Sequence, residues 1–129
     1  MPQAHKSLHI HITLDWSEQD LFGHINNLAF FKYIQAARVN FWRKTGVWEN
    51  TNEKPEKGPV LASAHCDFKR QLNYPGSLDV YSTTGQIRNS GFEITHQLKD
   101  EKGNLVATGK DVAVYFDYEK GEKRHCLKS

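Results

Sequence analysis

Residues 27–45, NLAFFKYIQAARVNFWRKT, decide how the rest of the chain must be arranged. Phe30, Ile34, Ala37 and Phe41 follow one another at steps of four, three and four, the period of one face of an α-helix. Phe31, Ala36, Arg38 and Trp42 flank that stripe and widen it. A helix with so broad an apolar face needs covering on more than one side. Asn26 and Asn27 both suit an N-cap and Gly46 suits the stop, so the spacing predicts a helix over Asn27–Thr45.

The flanks say what covers it. Upstream, Leu8–Asp15 alternates strictly, with Leu8, Ile10, Ile12 and Leu14 on one face and His9, His11, Thr13 and Asp15 on the other, the pattern of a half-buried strand. Ser17–Gly23 reads as a turn. Downstream, residues 49–59, ENTNEKPEKGP, read as a charged surface loop. Four strands are expected after it: Val60–Leu72, broken by Tyr74-Pro75-Gly76; Leu78–Arg88; Phe92–Lys99; and Leu105–Tyr118, with DEKGN at residues 100–104 as a hairpin turn. Serial connections of this kind imply an antiparallel sheet. One helix among such strands needs that sheet to pack on. The expected architecture is α+β, a curved antiparallel sheet wrapped around one long central helix, in a single domain over residues 1–129.

Composition narrows the function classes. A formal charge of +2 and scattered basic residues do not suggest a nucleic-acid partner, although a small basic patch for a phosphorylated molecule remains open. Aromatic residues at 12% argue against disorder. The start, MPQAHKSLHIHITLDW, has no apolar run long enough for a signal peptide, and no segment reaches the roughly 20 apolar residues of a membrane span. A soluble, cytoplasmic location is expected. Two cysteines, Cys66 and Cys126, leave one disulfide open but do not describe a stapled secreted scaffold. Cys66 alternates with Ala64 and Phe68 and reads as a small core residue. His9 and His11 share a strand face without a third ligand nearby in sequence, so no metal is expected.

Just before the predicted helix stands DLFGHINN, residues 20–27. Asp20 with Gly23 is what an ordinary turn looks like, and Asn26 and Asn27 are first of all caps. The same residues also suit acyl chemistry. Asp20 offers a carboxylate that attacks a carbonyl or activates water. The helix start offers amides that lack intrahelical partners and carry partial positive charge. The predicted helix has no Asp or Glu between Asn26 and Val47, which leaves Asp20 as the local acid.

The stretch from Trp16 to Arg38, with Asp20-x-x-Gly23-His24-x-Asn26-Asn27 at its centre, resembles the signature of hotdog-fold acyl-CoA thioesterases of the 4-hydroxybenzoyl-CoA thioesterase type. Val60–Leu72, Gly76–Leu78 and Gly109–Asp117 resemble that family's later strands. Three positions depart from its pattern: Glu18 stands where an Asp is common, Gln35 where a Glu is common, and Phe30 where a Tyr is frequent. The resemblance implies a hotdog fold and a homodimer or homotetramer with the site between subunits. It implies an acyl-CoA substrate, hydrolysed to a carboxylic acid and free CoA with no separate cofactor. Asp20 becomes the nucleophile or general base, and the amide at Asn27 polarises the thioester beside that of Leu28. His24 joins the catalytic candidates as a group titrating near neutrality, with a loop-fixing role as its other reading. Gly23 allows the bend and a close approach. Arg88, Ser90 and Gly91, in the turn between two strands, become candidates for binding CoA, with Lys69 and Arg70 behind them for its phosphates. A non-catalytic acyl or CoA-binding module and a thioesterase acting on acyl carrier protein are the alternatives. A hotdog dehydratase would need a His–acid motif not found here.

Overall fold

The computed structural model describes residues 7–45, 57–117 and 122–124. In chain order it contains β1 (Ser7–Thr13), a short 3-10 turn (Trp16–Glu18), α1 (Asn27–Thr45), β2 (Lys57–Phe68), β3 (Ser77–Ile87), β4 (Gly91–Asp100), β5 (Leu105–Asp117) and β6 (Glu122–Arg124). The strands form one antiparallel sheet in the order β1-β3-β4-β5-β2. The short β6 pairs with Tyr115–Asp117, on the side of β5 that β4 leaves beyond Gly91. One long helix against a five-strand antiparallel sheet is the hotdog architecture expected from the sequence.

The helix occupies Asn27–Thr45, and it buries Ala29, Phe30, Tyr33, Ile34, Ala37 and Phe41. Those side chains meet the alternating inward residues of the sheet, among them Leu78 and Val80 of β3, Ile94 and Leu98 of β4, and Ala107 and Ala113 of β5. Burial on this scale is the main stabilising term of the fold. The apolar interior is split in two. One cluster gathers around Phe30, Tyr33 and Leu98 near the start of α1, the other around Phe41, Phe92 and Ile94 further along it. Between them lies a polar layer that the sequence did not announce. Asp111 accepts from His96 Nε2 at 2.7 Å and pairs with Arg38 Nη1 at 3.2 Å, while Ser82 Oγ lies 2.7 Å from His96 Nδ1. His96 and Asp111 are fully buried, and the layer ties α1 to three strands. Arg38 therefore has the structural role of pairing with an acid.

Several boundaries differ from expectation. Strand β2 starts at Lys57 and not at Val60, so Lys57–Pro59 of the expected loop are strand; the rest of that loop, residues 49–56, and Gly46 lie outside the described residues. Pro59 is tolerated because β2 is an edge strand. At the other end β2 stops at Phe68 and not at Leu72, because the Lys69 and Arg70 amides both turn onto the Val106 carbonyl, at 2.8 and 3.1 Å. Part of the expected turn after Asp15 is the 3-10 turn. Cys66 packs against the first cluster, and burial pushes its thiol up; Cys126 lies outside the described residues. His9 and His11 do lie on the exposed face, but both bond to the same oxygen of Asp79, at 2.6 and 2.9 Å, and so hold that carboxyl below its usual range. No described helix is long and apolar enough to cross a membrane.

Candidate active site

The loop between β1 and α1 is built by local capping. Asp15 caps the 3-10 turn, accepting from Ser17, while the Glu18 carboxylate accepts from the Asp15 amide at 3.2 Å, a reciprocal capping box. Glu18 then does more than cap. Its buried carboxylate accepts from Tyr33 Oη at 2.6 Å and from Lys32 Nζ at 2.9 Å, both on α1. Its carbonyl accepts from the Asn26 amide at 2.9 Å. Burial alone would push the Glu18 carboxyl up, but the Tyr33 and Lys32 bonds outweigh it and hold it below the usual range. Burial, and then Glu18, push the Tyr33 hydroxyl well above its ordinary value.

Beyond this clamp the chain doubles back. The Asp20 amide donates to the His24 carbonyl at 2.7 Å, and the Gly23 amide donates to the Asp20 carbonyl at 3.2 Å. Gly23 sits at φ +81°, a left-handed conformation that favours glycine, with nothing closer than 3.9 Å to an added Cβ. Its requirement is backbone, not space. The loop is stitched to the segment after β2 by the Ile25 amide on the Leu72 carbonyl at 2.7 Å and by a bridge between His24 and Asn73.

This loop sets the orientation of the Asp20 carboxylate. Oδ1 accepts from the Phe22 amide at 2.8 Å and the His24 amide at 3.1 Å. Oδ2 has no protein partner among the described residues, and the side chain is exposed. His24 fixes the loop through its main chain, while its ring lies 6.4 Å from that of Phe22. At the start of α1, Asn26 is the cap: its Oδ1 accepts from the Ala29 amide at 2.9 Å. The amides of Asn27 and Leu28 precede that bond and have no intrahelical acceptor.

A cleft of about 550 Å³ brings these groups together. Asp20, His24 and the Asn26–Asn27 helix start line one side. Phe30 and Phe68, edge to face at 5.3 Å, form an apolar wall, and Lys69 and Arg70 complete the rim. Of the aromatic residues near the site, Phe30 and Tyr33 are core, whereas Phe22 is 82% exposed; Leu28, at the start of α1, is 80% exposed.

Arg88, Ser90 and Gly91 are elsewhere. Gly91 pairs through Val114 with Val60, whereas the cleft lies by Phe68, which pairs with Ala107. That offset along β5 is roughly 23 Å. The Arg88 guanidinium is bound to Glu93 Oε2 at 2.6 Å. The Ser90 carbonyl accepts from the Tyr115 amide at 2.7 Å. Gly91 has a packing reason of its own, since a Cβ there would stand 2.3 Å from the Ala113 carbonyl oxygen. Within one chain, then, Asp20, His24 and Asn27 line one cleft with Gly23 in the same loop, Leu28 follows Asn27 on α1 with its side chain exposed, and the Arg88 turn does not join them. In the sequence Glu18 reads as a support of the loop and Lys69 and Arg70 as lesser phosphate candidates, but the clamp onto α1 and the place of the two cations at the Asp20 cleft go unread there. The Glu18 clamp had a signal, the Asp15-x-x-Glu18 spacing of a capping box. The placement of Lys69 and Arg70 had none, because it depends on where β2 stops.

Comparison with known proteins bears on the family and the fold. The model of the thioesterase-like superfamily matches residues 14–126. The uncharacterized protein YsmA of Bacillus subtilis is 28% identical over 111 residues, covering 86% of this chain and 74% of that one. The DHNA-CoA thioesterase from Staphylococcus aureus superposes with a TM-score of 0.82 at 18% identity, over 92% of this chain and 80% of that one. The 12:0-ACP thioesterase from Umbellularia californica superposes with a TM-score of 0.81 at 14% identity, over 94% of this chain and 46% of that one. At such identities the structural likenesses establish the fold, while the family model spans nearly the whole sequence: the chain belongs to the thioesterase-like superfamily.

Proposed function

We propose that the protein is an acyl-CoA thioesterase that hydrolyses an acyl thioester to a carboxylic acid and free CoA. The observation that carries this reading is the division of labour within Asp20: one carboxylate oxygen is anchored by two amides, and the other is free in a cleft that the start of α1 also lines. The free oxygen would attack the thioester carbonyl carbon or take a proton from the water that does. The carbonyl oxygen, becoming negative, would be met by the Asn27 and Leu28 amides, which lack intrahelical acceptors. Collapse of that intermediate expels the CoA thiolate, leaving the free acid where water attacked and, where Asp20 attacked, a mixed anhydride that water then cleaves to the acid and the Asp20 carboxylate. The chemistry uses no metal or redox group, and His24 would shape the loop beneath Asp20.

The CoA half of the substrate calls for a second copy of the chain. Strand β2 is a twelve-residue edge with exposed Leu61 and Phe68. Two copies joined antiparallel along β2 would carry the Arg88–Gly91 turn of one toward the Asp20 loop of the other. A homodimer, or a tetramer built from it, would then complete each site. Following free thiol over time with acyl-CoAs and with acyl carrier protein thioesters tests the reading. Steady release from the CoA esters supports it, release only from the carrier protein esters moves the activity to that carrier, and thermal stabilisation by acyl-CoA without release leaves a binding module.

A further inference from the structure

The cleft holds two cations that the proposed reaction does not use. Lys69 and Arg70 follow directly on β2, and their amides are pinned to the Val106 carbonyl. The next residues are tied to the catalytic loop through the Leu72 carbonyl and Asn73. Two consecutive basic residues are thereby held at the rim of the Asp20 cleft by main-chain bonds on both sides. Four other basic side chains of the sheet and helix are paired with acids: Lys32 with Glu18, Arg38 with Asp111, and Arg88 and Lys110 with Glu93. Lys69 and Arg70 make no ion pair among the described residues. Arg70 contributes, as the last of several causes, to holding the Asp100 carboxyl low, but does not bond to it.

Which part of an acyl-CoA would meet them is a question of scale. A compact space of about 550 Å³ is about 10 Å across. The pantetheine arm holds the nearest CoA phosphate farther than that from the sulfur, so a thioester seated at Asp20 keeps its phosphates outside this cleft. What lies within reach of Lys69 and Arg70 is the acyl group. Beside them the exposed Phe68, backed edge to face by the buried Phe30, offers apolar surface for a ring. Resting on the thioesterase reading above, we infer that the cleft selects an acyl group carrying an anionic substituent, such as a carboxylated aryl group, with Lys69 and Arg70 as its specificity-determining residues. A guanidinium and an ammonium on a carboxylate in a partly closed cleft make charge-assisted hydrogen bonds that the uncharged analogue cannot form.

The test compares benzoyl-CoA with 4-carboxybenzoyl-CoA, a rigid pair differing by one carboxylate. The unaltered protein should show kcat/KM at least about tenfold higher for the carboxylated ester, a preference that shrinks as salt is added. In the double variant Lys69→Gln/Arg70→Gln the ratio should fall to near one. A ratio is the right readout because it cancels any effect of the substitutions on folding or on the CoA half. Equal kcat/KM for the two esters, or a preference that survives in the double variant, overturns the inference and leaves the thioesterase reading standing. If neither ester is hydrolysed, the thioesterase reading is what falls. Binding then decides alone: 4-carboxybenzoyl-CoA must raise the melting temperature more than benzoyl-CoA at equal concentration, and only with both cations present.

Discussion

At the scale of single residues, Asp20 and Asn27 divide the work. The Asp20 side chain is exposed; its Oδ1 holds the loop through the Phe22 and His24 amides, which leaves Oδ2 for the proposed reaction. Asn27 matters through its main chain. It is the first residue of α1, the position where proline is best tolerated, and Asn26 before it is a non-helical cap. Asn27→Pro therefore deletes one donor while keeping the helix, and Asn27→Ala keeps the donor while deleting the side chain. The expected outcome is a fall in kcat of about a hundredfold or more for the proline variant, a much smaller loss for the alanine variant, and melting temperatures within a few degrees of each other. Equal activity of the two variants would remove the helix amides from the mechanism. This part of the site was legible in sequence, because a carboxylate, a glycine and two caps within eight residues of an amphipathic run are all local signals. The free cations at the rim were not legible, because what frees them is the distribution of acids elsewhere in the fold.

At the scale of elements, the loop holds its shape because Glu18 joins the 3-10 turn to α1 through Tyr33 and Lys32. Its carboxyl lies below the ordinary glutamate value of about 4.3, so its stabilising contribution is full above that pH and is lost as pH falls through the lowered value. Glu18→Gln should melt lower than the unaltered protein near pH 6, and the gap should narrow as pH approaches about 3. Melting curves across that range check it, and a constant gap would mean that the Glu18 charge is not what the clamp uses. The elements themselves were unevenly legible. Strand β1 and helix α1 follow single clean periods. The end of β2 was hidden because Lys69–Leu72 continues the strand's composition while its amides turn away. Strand β6 is three residues long, too short for a period. The polar layer was hidden because Ser82, His96 and Asp111 each interrupt an apolar face only once. Only the register shows that Ser82 and His96 are direct partners, with Asp111 opposite the neighbouring Ile94 and Arg38 above it.

At the scale of the whole molecule, the architecture followed from arithmetic that sequence carries well, one broad-faced helix and too many strands to leave uncovered. What one sequence carries poorly is the relation between copies. The roughly 23 Å between the Arg88 turn and the Asp20 cleft becomes meaningful only if β2 pairs with a second β2. This gives a complementation prediction. Asp20→Asn and Arg88→Ala chains, each weak alone at low substrate, should regain about a quarter of the unaltered activity when unfolded together and refolded in equal amounts, since half of the random dimers are mixed and each has one intact site. No recovery, with mixed dimers confirmed by mass, would place Asp20 and Arg88 in separate functions. The central claim is simpler, that this chain cleaves thioesters with Asp20. The most direct measurement is free-thiol release from a panel of short, long, aromatic and carboxylated acyl-CoAs by the unaltered protein and Asp20→Asn in parallel. Turnover of at least one ester should drop by about a hundredfold or more in the variant, with the melting temperature nearly unchanged. Hydrolysis that proceeds equally well with asparagine at position 20 would contradict it.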